Sequence, residues 1–420
     1  MSLFDAIGRA LHRVVHPQYA QESERLDAIA KALRARDADA DRVQSQIGGL
    51  AEKVSRLALD KDVRGLHRDL VELRAASTRQ HRMLSQAPRF AAWNEAQRTA
   101  ARRLRPRIRR LAEGPRPVLV GPWSGEVGFE LLYWIPFVTW ALGEAGVTPD
   151  RLVIVSRGGP RSWYAHLGGR YVDLLSSMST EDFRSRTEAQ KKQREVGAFD
   201  RDALRRVVAA ANLDRPAVLH PGLMYRLFRP LWKQEPRVPR IDDYTRYERV
   251  HASPTPELCS RLPSEYVAVR FYFSSSFPDT RDNRAFAEST IRGLAASTHV
   301  VLLGPGFRVD DHRDFAPGAS SRIHVVNDLM TPDRNLDVQT AVIAGARAFV
   351  GTYGGYAYLA PFCNVPAIAF YANRDGFHHY HLELADRVFR RMNTASLVAL
   401  DVRDAALLRT ALSAAQNLHA

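Results

Sequence analysis

The chain has 420 residues, 45% hydrophobic and 25% charged, an ordinary globular balance that excludes a disordered or fibrous protein and gives room for two or three domains. A net charge of +14 points to anionic partners such as nucleic acid, acidic lipid or phosphorylated small molecules. The two cysteines, Cys259 and Cys363, are far apart without CxxC or Cys/His spacing, and no apolar run nears the roughly 20 residues of a membrane span, so the expectation is a cytoplasmic protein without a structural zinc.

In chain order, residues 1–20 set Leu3, Phe4, Ile7, Leu11 and Val14 on one helical face with Arg9 and Arg13 near the polar side. Such a helix either packs on its own protein or lies on an anionic membrane surface. Residues 21–112 read as a helical coiled-coil region and basic linker. Apolar positions step by three and four from Leu26 through Leu57, and the seam resumes at Val63, Leu66, Leu70 and Leu73. Homo-oligomerisation through these helices is the expectation, with an intramolecular hairpin as the alternative. The acidic run at 37–41 reads as solvated surface. Arg102, Arg103, Arg105, Arg107, Arg109 and Arg110 form either a solvated connector or a contact for anionic membrane or lipid-linked phosphate.

From residue 113 short apolar runs alternate with helical stretches, the pattern of βαβ units. Strands are predicted at 117–121, 151–156 and 216–221, and a second series begins near Tyr266 and continues through 299–304, 322–328, 348–354, 365–371 and 396–402. The fold class is therefore α/β, with two Rossmann-like domains, 113–255 and 256–420, joined through a proline-rich stretch near 235–263. Ligands of open parallel sheets bind beyond the carboxyl ends of the strands, so two such domains make a cleft between them.

Four loops after predicted strands converge on that cleft. In "GPWSGEVGFELLYWIPF" (121–137), Glu126 and Glu130 share a face at i, i+4 if a helix starts near Glu126, and either is a candidate general base beside Trp123, Tyr133 and Trp134. In "VAVRFYFSSSFPDTRDN", Arg270 emerges from a buried strand, where an ion pair or an anionic ligand must meet it, and Ser274, Ser275 and Ser276 follow. "LLGPGF" ends a strand with Gly304 and Gly306. "GTYGG" places Thr352, Tyr353, Gly354 and Gly355 between a strand and a helix, with Tyr356 next, the arrangement in which backbone N–H groups meet a diphosphate. His220, after its strand, either meets an acceptor or caps the following helix. His378, His379 and His381 read as a polar cleft wall rather than a metal site.

The segment "ARAFVGTYGGYAYLAPFCNVPAIAFY", preceded by "HVVLLGPG" and "RIHVVNDLMTPDRNLDVQTAVIAGA", resembles the donor site of GT-B glycosyltransferases, especially heptosyltransferase-like bacterial enzymes. The likeness covers residues 115–415, and Arg270 is similar to the strand-end arginine of fucosyltransferase-like members. It implies a nucleotide-sugar donor in the carboxyl-terminal domain, with no obligatory metal or other cofactor. By position it matches Thr352 to Gly355 with the diphosphate turn, the segment from Leu336 to Gln339 with the nucleoside region, and the "GEVGFE" loop with the first loop of inverting members, with either Glu126 or Glu130 in the place of their acidic base. Trp123, Tyr133 and His220 fall on the acceptor side, a glycan or lipid-linked acceptor of bacterial surface polysaccharide synthesis. The chain departs from the family in reading Thr-Tyr-Gly-Gly for Asp-Ser-Gly and Tyr358 for a histidine. Two other readings remain: an enzyme similar to polysaccharide pyruvyl transferases, and a coiled-coil nucleic-acid-binding scaffold. Against the second, the sequence has no recognition helix or RNP-like strand motif, so nucleic acid is not expected as a partner.

Overall fold

The computed structural model describes residues 104–188, 192–232, 241–309, 312–315, 317–318 and 320–405. The expected amphipathic start, the heptad region and the first two arginines of the connector lie outside these. The connector's later part is not simply solvated. Residues 104–109 are helical and bury Leu104 and Ile108, while Arg105 pairs with Glu144 at 2.6 Å.

The first sheet holds four parallel strands in the order β3-β2-β1-β4: β1 Val118–Val120, β2 Leu152–Ser156, β3 Arg170–Asp173 and β4 Ala217–Leu219. β1 is fully buried, as expected of a parallel strand covered on both faces. Helix α1 follows β1 in three registers, Val127–Phe129, a π-helical turn Glu130–Trp134, and Ile135–Ala145, and stops where Gly146 turns left-handed at φ 70°. Helices α2 (Thr180–Thr187), α3 (Ala198–Ala210) and α4 (Gly222–Trp232) complete this half. β3 was not anticipated. Its RYVD sequence carries no apolar run, because it is a half-exposed edge strand.

After α5 (Pro256–Arg261), the second sheet runs β11-β10-β9-β5-β6-β8 in parallel, from β5 Tyr266–Phe273, β6 His299–Leu302, β8 Ile323–Val325, β9 Ala348–Thr352, β10 Ala367–Tyr371 and β11 Leu397–Asp401. A short antiparallel strand, β7 Arg313–Phe315, also unanticipated, pairs with the far end of β5. Helices α6 (Arg281–Ser297), α7 (Asn335–Ala344), α8 (Gly355–Phe362) and α9 (His379–Met392) pack on it. The α6 start is held by Thr280, whose side chain accepts from the Asn283 N–H. Valines and phenylalanines from β5, β6 and α6 make its core around Phe271, Phe277 and Ile291.

Both sheets reverse strand order at one point: between β1 and β4 in the first, and between β5 and β9 in the second. Crevices open at such points, beyond the carboxyl ends of the strands. The expected α/β architecture of two Rossmann-like sheets facing each other is therefore what the described residues form. Direct contacts bring the halves together. The Leu336 N–H donates to Gly158 O at 2.8 Å, the Trp163 indole donates to Thr340 Oγ1 at 2.9 Å, and the Val250 N–H donates to Phe362 O at 3.0 Å.

Candidate active site

The loop 121–126 after β1 is held from four sides. Gly121 N–H donates to Leu219 O and Trp123 N–H to Val155 O, both at 2.9 Å, which continue the sheet. The buried Gln193 amide bridges the turn: its Oε1 accepts from Ser124 N–H at 2.9 Å, and its Nε2 donates to Pro122 O at 2.8 Å and Asp200 Oδ1 at 2.7 Å. Arg157 donates to Gly125 O at 2.6 Å. This leaves Glu126, extended at φ −68° and ψ 145°, as an exposed residue just outside α1, with no side-chain bond to the helix start.

Glu126 and Glu130 do not share a face. Because α1 begins at Val127, Glu126 precedes it, and the π turn carries Glu130 inward to full burial. Ser156 and Tyr164 donate to Glu130 Oε1 at 2.5 and 2.7 Å, and Oε2 has no hydrogen-bond partner among the described residues. Burial pushes this carboxyl up to about 7, against the lowering pull of Arg157 and the two hydroxyls.

The facing wall comes from the switch point of the second sheet. After β5, the Ser274 and Ser276 hydroxyls lie 3.0 Å apart. After β9, Gly354 and Gly355 lead into α8. Their lack of side chains has a packing reason. A Cβ on Gly354 would stand 1.9 Å from the Tyr272 hydroxyl, and one on Gly355 would stand 2.6 Å from Val127 Cγ1 and 2.8 Å from the Gly128 nitrogen. The close approach anticipated at the double glycine is therefore made partly by the start of α1 itself, and both glycines still border open space. Gly355→Ala is expected to lower stability by about 1–3 kcal/mol, the usual range for overpacking a tight contact. Thermal unfolding of the variant beside the parent checks this, and equal melting temperatures would mean that the α1 loop yields.

Between the walls lies a cavity of about 230 Å³ bordered by Glu126, Val127 and Gly128 on one side and by Ser274 to Ser276 and Tyr353 to Tyr356 on the other. Small-molecule sites usually measure roughly 300 to 1,000 Å³, so this one has the size for the reacting part of a substrate. Tyr133, Lys192, His312, His378, Tyr380 and His381 also line it, and Glu126 is the sole carboxylate among the described lining residues. Lys192 stands 5.4 Å from the Phe129 ring. Among the described residues no group of three or more His, Cys, Asp or Glu is placed to hold a metal, and no helix is long and apolar enough to cross a membrane.

Thus Glu126, Tyr133, Ser274, Tyr353, Gly354, Gly355 and Tyr356 come together, as do His378 and His381 of the expected polar wall. Other expected site residues stand behind the cavity. Arg270 is met by protein: Nε donates to Asp314 Oδ1 at 2.9 Å, a terminal nitrogen donates to Gln339 Oε1 at 2.6 Å, and the guanidinium stacks 4.1 Å from the Tyr356 ring. Gln339 is fully buried and also donates to Asn335, so neither end of its amide is offered to a nucleoside. Thr352 is absorbed between strands, accepting from Tyr272 N–H and donating to Tyr272 O. Gly304 faces Asp314. Trp123 is core, stacked between Trp134 and Tyr225 at 5.8 and 6.2 Å. His220 caps α4 by accepting from Gly222 N–H at 3.0 Å, with Asp200 3.4 Å from its Nε2. Lys192, Gln193 and Arg157 were missed: "QKKQREVG" reads as solvated charge, and nothing in "IVSRGG" says where its arginine turns.

No family model and no curated protein matches the chain. Among solved structures it is similar to a family 9 glycosyl transferase from Veillonella parvula, at 11% identity and TM-score 0.38 over 71% of this chain and 89% of that one. It is similar to the ADP-heptose lipopolysaccharide heptosyltransferase II of E. coli at 12% identity and TM-score 0.35, over 66% and 97%. It is also similar to the iron-containing dodecameric glycosyltransferase TibC of enterotoxigenic E. coli, at 15% identity and TM-score 0.31, covering 61% of this chain and only 58% of TibC. At this distance the chemistry of those proteins does not transfer residue by residue.

Proposed function

We propose that the chain is an inverting glycosyltransferase that moves a sugar from a nucleotide-sugar to a glycan or lipid-linked acceptor. One observation carries this reading: an exposed carboxylate, Glu126, faces the Gly354–Gly355 bend and the Ser274–Ser276 turn across a small cavity where both sheets reverse strand order. The acceptor hydroxyl gives its proton to Glu126 while its oxygen bonds to the anomeric carbon. The bond from that carbon to the leaving oxygen breaks, and its electron pair leaves with the nucleoside diphosphate. Backbone N–H groups at the start of α8, the serine hydroxyls and Lys192 are the groups available to that growing charge. With Glu126 as the base, direct displacement at the anomeric carbon inverts its configuration. The basic surplus of the chain supports a role at an anionic membrane face where surface polysaccharide is built.

The cavity's small volume favours, as a second reading, a compact donor such as phosphoenolpyruvate in a pyruvyl transfer. A thermal-shift panel of UDP, GDP, ADP, CMP and phosphoenolpyruvate, followed by hydrolysis assays of the matching nucleotide-sugars, separates the two. Stabilisation by one nucleotide and slow hydrolysis of its sugar is the expected result. A response to phosphoenolpyruvate alone would replace the glycosyl reading with the second one, and silence from every ligand would end both.

A further inference from the structure

One cavity histidine makes a short side-chain contact with a tyrosine hydroxyl. His381 lies in the first turn of α9, buried but bordering the cavity, and its Nδ1 is 2.5 Å from the Tyr133 hydroxyl. Burial holds the Tyr133 phenol well above its ordinary ionisation range, so the hydroxyl keeps its one hydrogen. The Trp232 indole packs edge-on against the Tyr133 ring with centroids 5.3 Å apart, and its N–H has no hydrogen-bond partner among the described residues. A hydroxyl that keeps its hydrogen and stands 2.5 Å from Nδ1 can donate it there. A neutral imidazole that accepts at Nδ1 carries its hydrogen on Nε2.

A second proton on this ring is opposed from every side. Burial, His378 and Lys192 all hold His381 well below the usual imidazole range. The neighbouring rings, Phe129 and Tyr133 from α1 and Tyr380 from α9, bring no carboxylate. An uncharged ring that accepts at Nδ1 is an Nε2–H donor on the border of a cavity where Glu126, when ionised, acts only as an acceptor.

We propose that His381 is a catalytic residue, a neutral imidazole whose Nε2–H donates a hydrogen bond to a phosphoryl oxygen of the nucleoside diphosphate as it parts from the sugar. This rests on the glycosyl-transfer reading for the identity of the leaving group. The division of labour is chemical. Glu126 takes the acceptor's proton, the electron pair of the broken carbon–oxygen bond passes to the diphosphate, and His381 keeps its own proton while steadying that oxygen. A preorganised donor in a water-poor site serves developing negative charge without reorganising, and a neutral histidine can fill this role.

The test uses the full-length protein labelled with 15N-histidine. In the ligand-free protein, His381 is expected to show protonated Nε2 and bare Nδ1 from pH 5 to 8, and Tyr133→Phe is expected to lose that pure pattern. The opposite tautomer, or a charge change near pH 6.5, would overturn the proposal. On adding inorganic pyrophosphate or the nucleoside diphosphate that stabilises the protein, the Nε2–H resonance should move downfield, and an unmoved signal with either bound would equally overturn it. In turnover, His381→Phe is expected to lose about 100-fold in kcat and His381→Gln, which retains a donor, clearly less. Equal loss in both variants would reduce the residue to packing. Absence of sugar transfer with the Nε2 signature intact sinks the glycosyl reading alone, whereas transfer that depends on Glu126 without that signature sinks the histidine alone.

Discussion

Glu126→Gln should lower kcat by about 10² to 10⁴ while leaving nucleotide binding and thermal stability near the parent's. The range is that of removing a positioned general base. The expectation of an isolated catalytic loss comes from the loop. Trp123, Ser124 and Gly125 are tethered to Val155, Gln193 and Arg157, so the turn does not depend on the Glu126 side chain, which makes no bond to the helix start. Gln keeps the shape and removes the basic oxygen. Initial rates with the best donor, beside a thermal-shift titration with its nucleotide, decide it. A variant that turns over within twofold of the parent would move the base elsewhere.

Glu130→Gln should do the reverse, preserving catalysis and changing how stability depends on pH. Its carboxyl stands at about 7 when folded against 4.5 in an ordinary setting, because burial disfavours the charged form. Below pH 4.5 both folded and unfolded chains hold the proton and the residue costs nothing. Between 4.5 and 7 the folded chain binds more proton than the unfolded one, so stability falls as pH rises. By pH 8 the accumulated loss is about 3 kcal/mol. Gln cannot ionise and still accepts from Ser156 and Tyr164 at its oxygen. The variant should therefore be the more stable protein at pH 8 and close to the parent at pH 5, measured by urea unfolding at the two values. A parent whose stability rises from pH 5 to 8 by a slope that the variant shares would show that Glu130 is not the titrating group.

The strands were legible where they are buried on both faces, since runs such as VLV, LVIVS and AFVGT can satisfy only a covered parallel sheet. β3 and β7 were not, because RYVD and RDF sit at margins where Arg, Tyr and Asp are tolerated. In the site, the turn residues spoke clearly: glycines at 354 and 355 signalled a close approach, and the acidic loop signalled an entrance. Which partner each side chain chooses was not readable. Arg270 satisfies the requirement for a counter-charge through Asp314, a residue of β7 that no pattern announced, and His220 and Trp123 serve a cap and a core with compositions that equally suit a ligand wall. Glu130 differs for another reason. Helical periodicity assumes constant winding, and the π turn violates it at that residue.

That same turn shifts the residue-by-residue correspondence with any chain that winds regularly there. A π turn holds one residue more than regular winding needs between fixed ends. Deleting a residue within Glu130–Trp134 would let Val127 and Ala145 keep their places while the intervening side chains rotate, drawing the acid out of its pocket beneath Ser156. A homologue without the insertion would then show a single-position gap there, and any alignment that closes it silently would pair the wrong acidic residue with Glu126.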